Sequence, residues 1–169
     1  MPKAIKIYVR YVEAANKAVG KFSMYLVFAM MGILLFESIS RTIFNQPHIW
    51  VVEIAQFTMA AYYLLGGGYS MILEGHVRMD LLYGRWSARR QAMTDAITAF
   101  FLIFYLVFLL YGGISSIEYA VTYGQVNYTP WAPPLAPIKI IMTIGIVLML
   151  LQTIATFFKD LAKAGREKI

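Results

Sequence analysis

Apolar residues crowd into four stretches, 22–44, 51–73, 96–121 and 138–158. Each is close to the roughly 20 residues that an α-helix needs to cross the hydrocarbon core of a bilayer. Ahead of the first stretch the pattern changes. Lys3, Lys6, Arg10, Glu13, Lys17 and Lys21 recur at three- and four-residue spacing, with Ile5, Tyr8, Val12, Ala15 and Val19 between them. This is the period of an amphipathic helix over 3–21. Its basic stripe suits an anionic leaflet, so the expectation is an interfacial helix that turns into the bilayer at the first span, with docking of its apolar face on a protein as the alternative. The first apolar run starts after twenty residues, is too long for a signal-peptide core and precedes no small-residue cleavage site, so it reads as a true span. The pattern predicts an all-α membrane protein, a single integral domain over 1–169 with four transmembrane helices and an N-terminal amphipathic helix.

Composition supports this reading: 60% of the residues are hydrophobic and 14% are charged, a balance that a soluble domain of 169 residues would struggle to bury. The absence of cysteine excludes disulfides, thiolate metal sites and cysteine nucleophiles. A net charge of +6 raises the question of nucleic acid, but the basic residues cluster beside the apolar runs, where membrane lipids are the natural partner.

Those clusters also set the orientation. Five Lys and Arg precede span 1, four lie between spans 2 and 3 (Arg78, Arg85, Arg89, Arg90), and four follow span 4. Only Arg41 and Lys139 lie near the opposite ends. The positive-inside rule therefore places both termini and the segment EGHVRMDLLYGRWSARRQ (74–91) in the cytoplasm. That segment is the one inner loop, with Leu81, Leu82, Tyr83 and Trp86 available to dip into the interface.

An ionisable side chain costs about 2.5–3.5 kcal/mol at the centre of an inserted helix, so such residues tend to be paired or functional. Asp95 and Glu118 fall near the ends of span 3, where water is close. Glu37 and Arg41 share a helix face at i,i+4. Glu53 enters at the start of span 2, at about the depth of Arg41, so an Arg41–Glu53 pair pinning the first hairpin is expected. Small residues in LLGGGYS (64–70) and YGGISS (111–116) suggest close helix packing rather than broken helices. The outer segment TYGQVNYTPWAPPLAP (122–137) carries four prolines and no formal charge, so it cannot be helical throughout. Its tyrosines and Trp131 suit a headgroup-level lid or a partner surface.

Little catalytic chemistry is available. His48 and His76 are 28 residues apart and on opposite sides, about 40 Å of helix, so they share neither a haem nor a metal. No nucleophile–base–acid triad is visible, and an intramembrane enzyme is not expected.

The run RTIFNQPHIWVVE (41–53), followed by GHVRMDLLY (75–83), resembles the small membrane subunit of tripartite ATP-independent periplasmic (TRAP) transporters. SARRQAMTDA and the last span, with Gly145 and Gln152 in TIGIVLMLLQ, are similar to that family too; the proline-rich PWAPPLAP departs from its common pattern. The resemblance implies a non-catalytic subunit in a bacterial or archaeal cytoplasmic membrane that braces a large multi-span subunit. That larger subunit would carry a solute, usually a carboxylate, inward with sodium after a periplasmic solute-binding protein has captured it. It implies structural or subunit-interface roles for Arg41, Trp50, Glu53, Gly75, His76, Arg78 and Asp80, with Arg78 and Asp80 fixing the turn between spans 2 and 3. It implies no cofactor, metal or substrate site in this chain. Two rivals remain: a proton-coupled carrier that works as a homodimer through Glu37, and an accessory subunit of an unrelated membrane complex.

The topology is directly testable. Alkaline phosphatase fused at Tyr128 is expected to be active and at Arg85 inactive; the reverse pattern would invert the orientation.

Overall fold

The computed structural model describes residues 3–73 and 88–164. They form four helices, α1 (Lys3–Ile43), α2 (Ile49–Ile72), α3 (Ala88–Thr122) and α4 (Ala136–Ala164). Each contains a stretch long and apolar enough to cross a membrane. Among the described residues the only β pairing is an isolated antiparallel bridge between Val126 and Pro134.

The first helix departs from expectation, because the amphipathic head does not turn at the first span. Residues 3–43 form one uninterrupted 41-residue helix, about 60 Å long. No proline lies between Lys3 and Ile43, so nothing breaks the backbone ladder. The apolar face of the head packs on the chain's own α4: Val9 and Val12 are buried with Ala155, and Ile5, Tyr8 and Leu151 surround them. At these residues the apolar face is covered by the chain's own α4, which is neither the lipid contact nor the docking on a partner protein that the pattern suggested.

The helices form an open layer rather than a closed bundle. Helix α4 packs on α3, α2 and α1, and α1 also packs on α2. Helix α3 leans chiefly on α4, and the outward faces of α1 and α3 stay uncovered. On α1, Phe22, Tyr25, Phe28 and Leu35 are exposed; on α3, Phe101, Phe104, Phe108 and Tyr111 are.

Small residues set the seams. A Cβ built on Gly145 would lie 2.7 Å from the Leu64 carbonyl oxygen, so α2 and α4 meet backbone to backbone there. A Cβ on Gly67 would meet Met149 Sδ at 2.6 Å, and one on Gly113 would meet Thr143 Oγ1 at 2.9 Å. Gly20 receives the Tyr69 side chain and Gly68 that of Asn16. The expected glycine faces thus pack at Gly67, Gly68 and Gly113, whereas Gly66 and Gly112 face open space. Helix α2 runs unbroken through all three consecutive glycines.

The 123–135 connection is a hairpin. Gly124, at φ 56°, ends α3, and the Gln125 N–H reaches back to the Ala120 carbonyl at 3.0 Å. Asn127 N–H donates to Pro133 O at 2.9 Å and Leu135 N–H to Gln125 O at 3.0 Å. These two bonds straddle Pro134, which has no N–H to give. Pro137 sits in the first turn of α4, where a missing N–H costs nothing.

Gly145→Ala should loosen the α2–α4 seam by about 1–3 kcal/mol, since the clashing atom is backbone and cannot rotate away. Gly112→Ala should be neutral or stabilising. Unfolding of the purified variants in detergent compares the two, and equal stability would refute the close approach.

Candidate functional site: the helix seams and their polar ends

Polar side chains gather at two levels of the layer. At the end that holds Lys3 and Ala164, three helices meet on Asn16. The α1 residues Val9, Val12, Asn16, Gly20 and Ser23 are all buried, at spacings of three and four that keep them on one stripe. Asn16 and Gln152 are each 1% exposed. Asn16 Nδ2 donates to Val12 O at 3.0 Å, to Gln152 Oε1 at 3.2 Å and, at 3.5 Å, towards Leu148 O. Asn16 Oδ1 has no conventional partner among the described residues and lies directly against Gly68. Thr153, also buried, donates to Met149 O at 2.8 Å. Two further ties join α1 to α4: Tyr8 donates to Leu151 O at 3.2 Å, and Glu13 pairs with Lys159.

At the hairpin end, Glu37 of α1 caps α2. Its two carboxylate oxygens accept the His48 backbone N–H at 3.1 and 3.2 Å, and Oε2 lies 3.1 Å from His48 Nδ1. His48 is the N-cap residue of α2, whose own side chain caps nothing, so an acid from the neighbouring helix meets the positive end of the α2 dipole. Ser40 Oγ donates to Gln46 O at 3.1 Å, and Asn45 takes a positive φ of 53°, which folds residues 44–48 back on α1. His48 also lies against Phe36 and Trp50, with ring centroids 5.3 and 5.9 Å away. Lys139 of α4 donates to Gln125 Oε1 at 2.6 Å and to Ser116 O of α3 at 3.3 Å, and so fastens the hairpin to both helices.

The expected Arg41–Glu53 pair is not formed. Glu53 is 4% exposed and turned toward the hairpin, where Asn127 Nδ2 is 3.5 Å from Oε2. Arg41 is exposed, and Glu37 is occupied by His48 rather than by Arg41. Equal depth proved insufficient, because Glu53 meets Asn127 of the 123–135 hairpin rather than α1. Trp50 joins the aromatic group at the start of α2. Gly75, His76, Arg78 and Asp80 lie outside the described residues. Sequence reasoning passed over Asn16, Asn127 and the Glu37–His48 contact; the stripe through Val9, Val12, Asn16, Gly20 and Ser23 was the available signal for the first.

Between the two polar levels the seams, among the described residues, are made of aliphatic, aromatic and small residues, with no broken helix. Residues 30–163 match the family described as tripartite ATP-independent periplasmic transporters, DctQ component. The chain belongs to this family. None of the curated proteins matches it. DctQ is a transporter component family and not an enzyme family, and it makes this chain a small TRAP transporter membrane subunit. Such subunits in general work with a large membrane subunit and a periplasmic binding protein. Four apolar helices and the DctQ family together indicate a multi-pass inner-membrane protein.

Glu37→Ala should destabilise the fold by about 1–3 kcal/mol, because it leaves the His48 N–H without its acceptor. Arg41→Ala should fall within about 0.5 kcal/mol of the parent. The yield of folded protein after graded heating reads both, and a larger loss for Arg41→Ala would restore a pairing role for the arginine.

Proposed function

We propose that this DctQ chain is a non-catalytic brace for the large transport subunit of a sodium-coupled importer of organic solutes, with carboxylates as the solute class. Its basic end, with both termini, faces the cytoplasm, and the hairpin faces the periplasmic binding protein. The observation that carries this reading is the placement of polar groups. Among the described residues they are tied to one another at the two ends, while a carrier for an anion needs donors near the midplane, usually at a helix break. The uncovered aromatic faces of α1 and α3 offer a large surface to a membrane partner, and the family match supplies the partner's class. In this arrangement Arg41, Trp50 and Glu53, together with Gly75, His76, Arg78 and Asp80 of the inner loop, shape structure and subunit contacts and bind no solute.

The purified chain in liposomes should move no solute. Co-expressed with its large subunit and supplied with the binding protein, it should support sodium-driven uptake. Glu37→Gln should retain most of that uptake, since an amide oxygen still accepts the His48 N–H. Solute flux through the isolated chain that is abolished by Glu37→Gln would replace this reading with a proton-coupled homodimer.

A further inference from the structure

Helices α1 and α2 do not close along their whole seam. Gly20 and Tyr69 are in tight contact, and beside that contact the layer bears a groove with a cavity volume of about 510 Å³. Gly20, Ser23 and Met24 of α1 form one wall, Tyr62 and Gly66 of α2 the other, and Met149 of α4 lies at the floor. Along α2 the lining runs from Tyr62 to Leu73, about 16 Å at the helical rise. That length equals the depth of one leaflet, half of a hydrocarbon core of about 30 Å.

Charge marks one end of the groove. Gly20 faces Tyr69 and the two helices are antiparallel, so Lys17, one turn earlier, lies level with the end of α2 near Leu73. Lys17 and Met24 are seven residues apart and share one line of α1, and Lys21 stands on the adjacent row. Both lysines are exposed, and among the described residues no acid pairs with either; Glu13, the nearest acid on α1, is held by Lys159.

We propose that this groove holds one acyl chain of an anionic phospholipid, with the headgroup phosphate resting on Lys17 and Lys21. The lipid completes the α1–α2 seam on the leaflet at the basic end. Its charge matches the lysines and its chain matches the depth of the groove, two features that a free anion does not combine. The assignment depends on the membrane fold alone and stands apart from the transport role proposed above.

The test uses the full-length chain, purified in detergent and loaded with phosphatidylglycerol or phosphatidylcholine of identical acyl chains, with retained lipid counted by native mass spectrometry. The parent should keep one phosphatidylglycerol with a preference of about tenfold or more. Lys17→Gln with Lys21→Gln should bring phosphatidylglycerol down to the phosphatidylcholine level. Gly66→Phe should lose both lipids, because a Cβ at Gly66 meets no atom within 4 Å and the ring would enter the groove. Equal retention of the two lipids by the parent overturns the proposal. So does Gly66→Phe that keeps phosphatidylglycerol at the parent level, since the lysines would then act as a surface patch. A dimer or a partner subunit lost on Gly66→Phe, with lipid counts unchanged, would show a protein occupant and overturn it as well. Should Gly66→Phe fail to fold, the exposed lysine pair decides the matter by the same lipid comparison.

Discussion

A carboxamide buried where three helices converge holds this fold together. Asn16 projects from α1 onto the bare backbone of Gly68 in α2 and donates to Gln152 of α4. In an apolar seam an unpaired amide is expensive, whereas a paired one ties helices together by about 0.6 kcal/mol on average in membrane proteins. Its greater effect is geometric. Any side chain at residue 68 would collide with Asn16, so the glycine sets how close α1 and α2 come, and the bond to Gln152 sets where α4 lies against both. The free Oδ1 is consistent with that closeness, because it sits where only a glycine Cα–H can reach it.

From this junction the asymmetry of the layer follows. Helix α4 is drawn into contact with all three others and contributes the most buried positions, among them Ile146, Gln152, Thr153 and Ala155. Helix α3 is joined mainly to α4, through the Gly113–Thr143 contact and the Lys139 bonds, and α1 closes only the opposite edge. Two rows of large aromatic side chains therefore remain at the margins. In lipid they carry no penalty, and on the proposed reading one or both become the surface that a large subunit covers.

Much of the architecture could be read in the chain, and the parts that could not share a cause. The four apolar runs correspond to four helices, although α1 begins 19 residues ahead of its run and α3 eight. Continuity of α1 was missed, because the change of periodicity suggested two elements, although no proline separates the amphipathic head from the apolar body. The prolines of 130–137 excluded a helix but could not announce the bridge between Val126 and Pro134, which needs residues brought together across a turn. The first-hairpin pairing failed for a related reason. Spacing gives the depth of Arg41 and Glu53, but the partner that Glu53 meets, Asn127, comes from the 123–135 hairpin far along the chain. Asn16 was hidden inside an amphipathic pattern because one amide barely disturbs a hydrophobic stripe, even though its phase with Val9, Val12 and Gly20 was regular. The resemblance at 41–53 held for a different reason: it depends on local motif and not on tertiary contact.

The Glu37–His48 contact shows why a carboxylate within a span need not be a transport group. Glu37 shares a helix face with Arg41 at i,i+4, yet the group that restrains it is His48 of the neighbouring connection. Glu37 receives a backbone N–H from a residue whose position is fixed by the turn at Asn45 and by the ring contacts with Phe36 and Trp50. To swing between the two sides of the membrane during a cycle, the side chain would have to abandon that N–H repeatedly, which would uncap α2 and free the whole 44–48 connection. A carrier places its titrating acid where solute and solvent reach it alternately from both sides. Glu37 instead lies within two turns of the end of α1, bound to the connection that joins α1 to α2, and its chemistry is spent on keeping those two helices in register.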